Sequence, residues 1–218
     1  MKLNSVDFEY GLEIENNDLT NLVVENKPYL RKLLSEFMQM ETRDYSGNLV
    51  LENSGDRILW KEICFLSHPL NATINDKRIV KCIEKLLVSN ILEQYSAWSE
   101  IKAEIDKFLL NRESLIEYNL IRQEITPDQL VKICNYHIDL EMINSIEEVL
   151  LEYMSLMTRL VGIRLFIISD FAELFTVKEF EGFIKTIRIN GFTVLMVSSK
   201  EYSYIKNRII IDEDLCFI

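Results

Sequence analysis

The apolar residues of the chain follow two different patterns. Near both ends they form short runs, such as residues 63–66 and 165–168, in which every position is apolar. Runs of this kind are typical of strands that are buried on both faces of a parallel sheet. From about residue 76 to residue 161 the apolar positions instead recur every three or four residues, which is typical of helices. We therefore predict strands at both ends of the chain and helices between them.

The N-terminal forty residues predict a strand, a turn, a second strand and a helix. Residues 12–15 and 21–25 flank the turn-forming residues 16–18. Asn26 is a suitable helix N-cap, and Pro28 fits the first turn, where a missing N–H does no harm. The predicted helix turns its apolar face to a core and carries three cations on its other side, namely Lys27, Arg31 and Lys32. Further strands are predicted at residues 48–52 and 63–66.

The middle of the chain has a long apolar stripe followed by two helix starts. The stripe over residues 79–109 keeps the helical period, and the polar interval at 96–100 does not clearly break it. Thr126 precedes a proline, and Ser145 opens a capping box, so each is expected to cap the N-terminus of a helix. We predict that residues 76–161 form an α-helical insertion.

The last sixty residues predict a strand–helix–strand unit. The strand at 165–168 is followed by a capping box at Thr176, a helix that stops at Gly191, and a second apolar strand at 192–197. A further strand is predicted at 209–211. Strands alternating with helices at these lengths form a parallel sheet.

Both ends of the chain contribute strands to what must be one sheet, so we predict a discontinuous head domain. Its bounds are residues 1–75 and 162–218, with the helical insertion at 76–161 between them. The strand that ends at Asp170 has the form of a Walker B strand, yet no glycine in the chain precedes Lys-Ser or Lys-Thr. The predicted fold class is α/β: a P-loop NTPase-like parallel-sheet head that lacks the phosphate loop, with a helical insertion, or leg, domain.

Composition restricts the setting in which the protein works. No stretch near the N-terminus resembles a signal peptide, and no apolar run approaches the ~20 residues that span a bilayer. The four cysteines, Cys64, Cys82, Cys134 and Cys216, are widely spaced and form no metal-binding pattern, so we expect buried, reduced thiols. We therefore expect a cytoplasmic protein with no membrane contact.

The titratable residues suggest no catalytic centre. Neither His68 nor His137 has a neighbouring carboxylate or serine in a triad-like pattern, and neither GxSxG nor HExxH occurs. Asp170 is more simply read as the end of a buried strand than as a magnesium ligand. We predict that the chain is not an enzyme.

Charge gives two further observations. The formal net charge of −11 argues against a nucleic-acid partner unless the cations are gathered on one surface. Besides the three on the first helix, the cations to consider are Lys77, Arg78, Lys81, Lys206 and Arg208. A group of acids in the insertion could hold Ca²⁺ or could simply form a solvated face, and composition alone favours the solvated face. These acids are Glu113, Glu117, Glu124, Asp128 and Asp139.

The chain as a whole resembles a known family. The resemblance depends on the opening residues 1–4, the passage from residue 22 to residue 34, the turn at 124–126, and the closing segments 192–197, 200–202, 211–214 and 217–218. On these residues the chain resembles the small ring-forming Csn-type adaptation proteins of type II-A CRISPR–Cas systems. The similarity is sparse and is strongest over the last thirty residues, and none of its motifs is catalytic.

The resemblance implies a homotetrameric ring that binds double-stranded DNA ends in its central hole during spacer acquisition. It also implies partners, namely the CRISPR integrase complex and the RNA-guided nuclease, and Ca²⁺ ions in the leg. For the DNA contacts we select Lys27, Arg31, Lys32, Lys61 and Lys132. For Ca²⁺ the resemblance suggests Glu117, Asn119, Glu124 and Asp139, with Ile121 and Gln123 at two positions where the family has acids.

Two alternatives from other classes remain open on the sequence. One is a degenerate nucleotide-binding regulator that uses the strand ending at Asp170 to sense ATP. The other is a structural scaffold whose acidic helices bind a basic partner and never contact DNA.

Overall fold

The computed structural model describes residues 1–7, 11–42, 45, 47–118, 120–139 and 145–218. The chain divides into two compact units, a head unit of Met1–Ile74 with Glu141–Ile218 and a helical unit of Asn75–Leu140. The strands are β1 (Lys2–Asn4), β2 (Leu12–Glu13), β3 (Leu19–Val24), β4 (Val50–Asn53), β5 (Asp56–Arg57), β6 (Ile63–Leu66), β7 (Leu165–Ser169), β8 (Val194–Ser198) and β9 (Arg208–Ile211). The α-helices are α1 (Lys27–Met40), α2 (Lys77–Glu93), α3 (Tyr95–Glu113), α4 (Pro127–Cys134), α5 (Ile146–Leu156) and α6 (Val177–Asn190).

The head unit is built on a five-stranded parallel sheet with the order β6-β7-β8-β3-β9. Strands β3, β7 and β8 are buried along almost their whole length, because helices or a second sheet cover both faces. The apolar runs at 63–66 and 165–168 therefore form strands as predicted. An α/β head with a parallel sheet, the predicted fold class, is confirmed.

The connection between β3 and α1 consists of only two residues, Glu25 and Asn26. The Asn26 side chain accepts a hydrogen bond from the backbone N–H of Tyr29 at 2.9 Å and donates one to the Glu213 carbonyl at 2.8 Å. The Tyr29 N–H, one of the free donors in the first turn of α1, is thus satisfied by the cap. A phosphate loop, which needs several residues between strand and helix, has no room here.

A second, antiparallel sheet covers one face of the parallel sheet together with α1. Its strand order is β2-β1-β4-β5. Leu3 and Leu51 from this sheet share one apolar core with Leu33 and Phe37 of α1 and with Leu195 of β8. Sequence reasoning missed β1 and β5, because strands of two or three residues leave too little alternation to recognise.

Helices α5 and α6 belong to the head unit and pack against each other. Helix α6 begins at a capping box formed by Thr176 and Glu179 and ends at Gly191, whose φ of 69° is left-handed. Both signals were predicted from the sequence, and both are confirmed. Two phenylalanines of this helix, Phe180 and Phe183, contact each other and also Phe171 and Phe175, which precede the helix.

The helical insertion ends earlier than predicted. We expected it to run to residue 161, whereas the helical unit ends at Leu140. The reason is the burial of α5 in the head: Leu150, Tyr153 and Met154 are at most 1% exposed. The Tyr153 hydroxyl also lies 3.2 Å from the sulfur of Cys64, which is on β6.

The helical unit consists of α2, α3 and α4. The predicted uninterrupted stripe is broken at Gln94, whose backbone (φ −102°, ψ 51°) is not helical and separates α2 from α3. Helix α4 begins at Thr126, which forms a capping box with Gln129, as its sequence predicted. The side chain of Asn75 donates to the Ile138 carbonyl at 3.1 Å and accepts from the Ile138 N–H at 2.8 Å. The segment after α4 is thereby attached to the start of α2.

Candidate nucleic-acid interface

Three of the predicted DNA contacts lie on the exposed side of α1. Lys27, Arg31 and Lys32 are exposed, whereas Leu33 and Phe37 of the same helix are buried in the head core. The helical period explains this separation, because it places the cations on one side of the helix and the apolar residues on the other, as the sequence predicted. The exposed side of α1 therefore carries three cations within its first two turns.

The three cations differ in how far their charge is compensated. The Lys32 ammonium is 2.6 Å from a carboxylate oxygen of Asp7 and 5.7 Å from the centre of the Tyr29 ring. The hydrogen bond to Asp7 raises the pKa of Lys32. Lys27 and Arg31 form no ion pair with any described residue, and they stand four residues apart, on one face of the helix. Among the described residues, these two cations of α1 are therefore the ones whose charge no acid compensates.

The other two predicted DNA contacts lie on different elements. Lys61 is exposed in a 3₁₀ turn of the head, Trp60–Glu62. Lys132 belongs to the helical unit, on α4, and forms an ion pair with Asp128 at 2.6 Å. The predicted set is thus divided between the two compact units.

Lys132 has two lysine neighbours that were noted in the sequence but not grouped with it. Lys77 and Lys81, from the first two turns of α2, line the same cavity as Lys132. Their spacing of four residues places them on one face of α2. That spacing was readable from the sequence, but the approach of α4 to α2 was not.

Three of the four residues that the resemblance suggests for Ca²⁺ are among the described residues, namely Glu117, Glu124 and Asp139. Glu124 is paired instead with the Lys102 ammonium at 2.8 Å, and Glu117 and Asp139 are exposed. Asn119 lies outside the described residues. Across the described ranges, no group of three or more His, Cys, Asp or Glu side chains is placed to hold a metal ion. Ca²⁺ prefers six to eight oxygen ligands, and the described residues do not provide such a set by themselves, so the calcium assignment stays a prediction.

A guanidinium lies among the neighbouring acids of the helical unit. Arg122 is 2.7 Å from a carboxylate oxygen of Asp106 and 3.1 Å from one of Glu113, both on α3. One side chain therefore joins the segment that follows α3 to two positions of that helix that lie about two turns apart. The positive charge next to the Asp106 and Glu113 carboxylates thus comes from Arg122, a residue of the protein.

Asp170, at the Walker B-like position, is engaged by a tyrosine. The Tyr202 hydroxyl lies 3.0 and 2.9 Å from the two carboxylate oxygens, and the Ala172 N–H is 3.3 Å from one of them. Burial raises the pKa of Asp170, and the hydrogen bond from Tyr202 opposes that shift. Nearby, Lys200 is paired with Glu173. These partners occupy the carboxylate that a nucleotide-bound magnesium ion would need.

The remaining candidate residues have structural roles or are exposed. His68 caps the 3₁₀ turn Pro69–Asn71, with its Nδ1 accepting from the Leu70 N–H at 3.2 Å. The cysteines are free thiols, of which Cys64 is buried and Cys82 half-buried. Cys134 and Cys216 are exposed, so the prediction that all four are buried is wrong for these two. Their positions at the end of α4 and near the C-terminus, outside both cores, explain the difference.

The fold defines an α/β protein with a five-stranded parallel sheet and only two residues between β3 and α1. The family model described as CRISPR-associated protein (Cas_Csn2) matches residues 41–215. The chain therefore belongs to the Cas_Csn2 family of CRISPR-associated proteins. No curated protein matches the chain.

Solved structures that resemble the chain include ATP-binding proteins of ABC transporters. One from Pyrococcus furiosus has a TM-score of 0.44 at 15% identity and covers 96% of this chain and 97% of its own. An ATP-binding cassette solved in its ADP conformation has a TM-score of 0.44 at 11% identity, covering 93% and 80%. The cbiO1 protein from Clostridium perfringens has a TM-score of 0.43 at 11% identity, covering 98% and 82%. At these scores the resemblances assign no function to this chain.

None of the described helices combines the length and the apolar character that crossing a membrane requires.

Proposed function

We propose that this protein is a non-catalytic subunit that binds double-stranded DNA ends, without sequence preference, during CRISPR spacer acquisition. The working form is a homotetrameric ring, in a type II-A system, with the integrase complex and the RNA-guided nuclease as partners. The observation that carries the proposal is the pair of uncompensated cations, Lys27 and Arg31, on the exposed face of α1 in a member of a CRISPR-associated family.

The electrostatics of α1 suit a duplex backbone. The protein carries a net charge of −11, so a phosphate chain is attracted only where cations are locally in excess. Over its first two turns α1 presents three exposed cations, with Asp7 as the one acid paired to them among the described residues. Symmetry in a ring would multiply this excess around one channel. Contacts of this type read phosphates and not base edges, which accounts for the absence of sequence preference.

The nucleotide-sensing alternative has less support. The two-residue connection before α1 leaves no phosphate loop, and the amino end of that helix is capped by Asn26. Asp170 already accepts hydrogen bonds from Tyr202 and Ala172. The scaffold alternative makes no use of Lys27 and Arg31, and the experiment below separates it from DNA binding.

The test uses linear and covalently closed duplexes of the same length in gel shifts at ~50 mM salt, where phosphate contacts are strong. We expect the linear duplex to bind and the closed circle to bind much more weakly, because a ring loads from an end. Light scattering after size exclusion should give a tetramer. Equal binding of both duplexes, binding of neither, or a monomer would overturn the proposal.

A charge-reversal pair makes the test specific to α1. Lys27→Glu with Arg31→Glu should abolish the shift of the linear duplex while the tetramer persists. The matched control is Lys178→Glu with Lys185→Glu, which reverses two exposed cations on α6 of the same unit. If the control loses DNA binding as completely as the α1 variant does, net charge and not α1 governs binding.

A further inference from the structure

A cavity in the helical unit lies between the start of α2 and the end of α4. Its volume is about 630 Å³. The wall formed by α2 includes Lys77, Lys81 and Glu84, and the opposite wall includes Lys132 of α4 with Tyr136 and His137 beyond it. The volume is large enough for a nucleotide-sized ligand.

Cations outnumber acids on the walls of this cavity. Lys77 and Lys81 form no ion pair with any residue in the described part of the chain. The positive charge of Lys132 is partly compensated, since its ammonium hydrogen bonds to Asp128 and also interacts electrostatically with Glu84. Glu84 is therefore the acid whose charge opposes an anion inside the cavity. Two free ammonium groups one helical turn apart can contact the same phosphate or two adjacent ones.

An aromatic side chain stands beside these charges. Tyr136 is 44% exposed, so much of its ring is open to solvent at the cavity wall. A side-chain hydrogen bond with Cys134 raises the pKa of Tyr136. The two hydrogen bonds between the Asn75 side chain and the Ile138 backbone attach the segment that carries Tyr136 and His137 to the start of α2. An exposed aromatic ring next to a cationic wall is the combination that binds unstacked nucleotides.

We propose that this cavity is a binding site for a phosphate-bearing nucleotide, with phosphates on Lys77, Lys81 and Lys132 and the base against Tyr136. The ligand is either a free nucleotide or the unpaired nucleotide at the end of a nucleic-acid strand, which share this chemistry. The site is separate from α1 and does not depend on the proposed duplex binding. It also differs from the carboxyl edge of the sheet, where Asp170 is engaged by Tyr202.

Calorimetry on the full-length protein tests the site with three probes: ATP, a 5′-phosphorylated dT hexamer, and inorganic pyrophosphate. Lys77→Glu with Lys81→Glu should weaken whichever nucleotide probe binds by about tenfold or more, because two attractive charges become repulsive. Lys107→Glu with Arg112→Glu, a double reversal on α3, is the matched control and should leave binding unchanged. Binding of ATP alone identifies a free nucleotide, and binding of the hexamer alone identifies a strand end.

Two further variants keep the test decisive if the double reversal does not fold. Glu84→Gln should tighten nucleotide binding several-fold, because it removes the opposing charge. Tyr136→Ala should weaken the nucleotide probes and leave pyrophosphate unaffected. No binding by any probe, no change or a loss of affinity in Glu84→Gln, or equal effects of Tyr136→Ala on all probes would overturn the proposal.

Discussion

The Tyr202 hydroxyl lies within 3.0 Å of both carboxylate oxygens of Asp170, at the carboxyl edge of the parallel sheet. This edge is where α/β sheets of this kind usually bind ligands. In this protein Tyr202, which follows Asp170 by 32 residues, occupies the position next to the Asp170 carboxylate. The same contact raises the pKa of Tyr202, after the larger effect of burial. The usual ligand-binding position of the fold is thus a structural contact in this protein.

Tyr202→Phe should destabilise the head by about 1 kcal/mol at neutral pH, because a half-buried carboxylate loses a hydrogen-bond donor. Chemical denaturation at pH 7 measures the difference in the free energy of unfolding. Tyr204→Phe is the control, since Tyr204 contacts the Phe180 and Tyr202 rings and no hydrogen bond to its hydroxyl is found within the described segments. Equal losses in the two variants would mean that the Tyr202–Asp170 hydrogen bond has no energetic role.

The pH dependence of that variant has a definite sign. Burial raises the pKa of Asp170, so the folded head holds this proton more tightly than the unfolded chain does. The contribution of Asp170 to stability is therefore full below the ordinary aspartate pKa and is lost as pH rises through the raised value. Without the Tyr202 donor the pKa rises further, so Tyr202→Phe should lose more stability between pH 4 and pH 7 than wild type does. Parallel stability curves for the two proteins would contradict this.

Local signals in the sequence predicted most of the head. Asn26, Thr176 and Gly191 act through hydrogen bonds or dihedral angles within a few residues, so their roles could be read without the fold. The buried strand at Ile63–Leu66 was equally clear, because a parallel strand covered on both faces is apolar throughout. The C-terminal boundary of the insertion was not predicted, since the burial of α5 depends on contacts with distant residues such as Cys64.

The candidate sites show the same division between local and distant information. The exposed cations of α1 follow from the helical period alone. In contrast, the pairing of Glu124 with Lys102 and the approach of Lys132 to Lys77 join residues far apart in sequence. The charged residues can be read from the sequence. Whether a carboxylate pairs with a lysine or arginine of the protein, or stays available to a metal ion, depends on how the helices pack.

Two glycines in α6 and at its end should respond in opposite directions to the same substitution. Gly191 has a φ of 69°, so Gly191→Ala should cost about 1 kcal/mol from left-handed strain. Gly182 is exposed within the helix with no heavy atom within 4 Å of an added Cβ, so Gly182→Ala should stabilise by up to about 1 kcal/mol. Thermal unfolding of the two variants measures both effects. A stabilising Gly191→Ala would show that α6 does not end as described.

The helical unit should fold without Ca²⁺. Arg122 already neutralises Asp106 and Glu113, and Lys102 neutralises Glu124, so the ion would have to displace both cations. Adding Ca²⁺ or a chelator should leave the unfolding temperature unchanged, whereas Arg122→Ala should lower it. The two ion pairs of Arg122 are partly exposed, so the expected loss is no more than about 1 kcal/mol.

Arg112→Ala is the matched control for Arg122→Ala, because it removes a second guanidinium from the same unit. Arg112 is exposed on α3 and lies over the Phe108 ring at 5.6 Å, without an ion pair to a described residue. Its replacement should therefore be the milder change.

A site with bound Ca²⁺ at a hundred times its dissociation constant would gain about 2.7 kcal/mol. A gain in the free energy of unfolding of that order on adding Ca²⁺ would support the calcium assignment.

The salt dependence of DNA binding should count the protomers whose α1 contacts the duplex. Each cation on a phosphate contributes about 0.9 to the slope of log affinity against log salt. Lys27→Gln should therefore lower that slope by about one if a single protomer makes the contact, and by close to four if all four protomers of a ring do. Fluorescence anisotropy with a linear duplex over a range of salt concentrations measures the slope.

Lys185→Gln provides the comparison, because it removes an equal charge from an exposed site on α6. Its slope should match that of wild type, since counterions are released only where a cation sits on a phosphate. A slope that Lys27→Gln leaves unchanged would place α1 away from the DNA, even if affinity fell. A reduction close to four would mean that the ring's symmetry places Lys27 of every protomer on the duplex. A protein of net charge −11 needs such a local excess of cations in order to bind a polyanion.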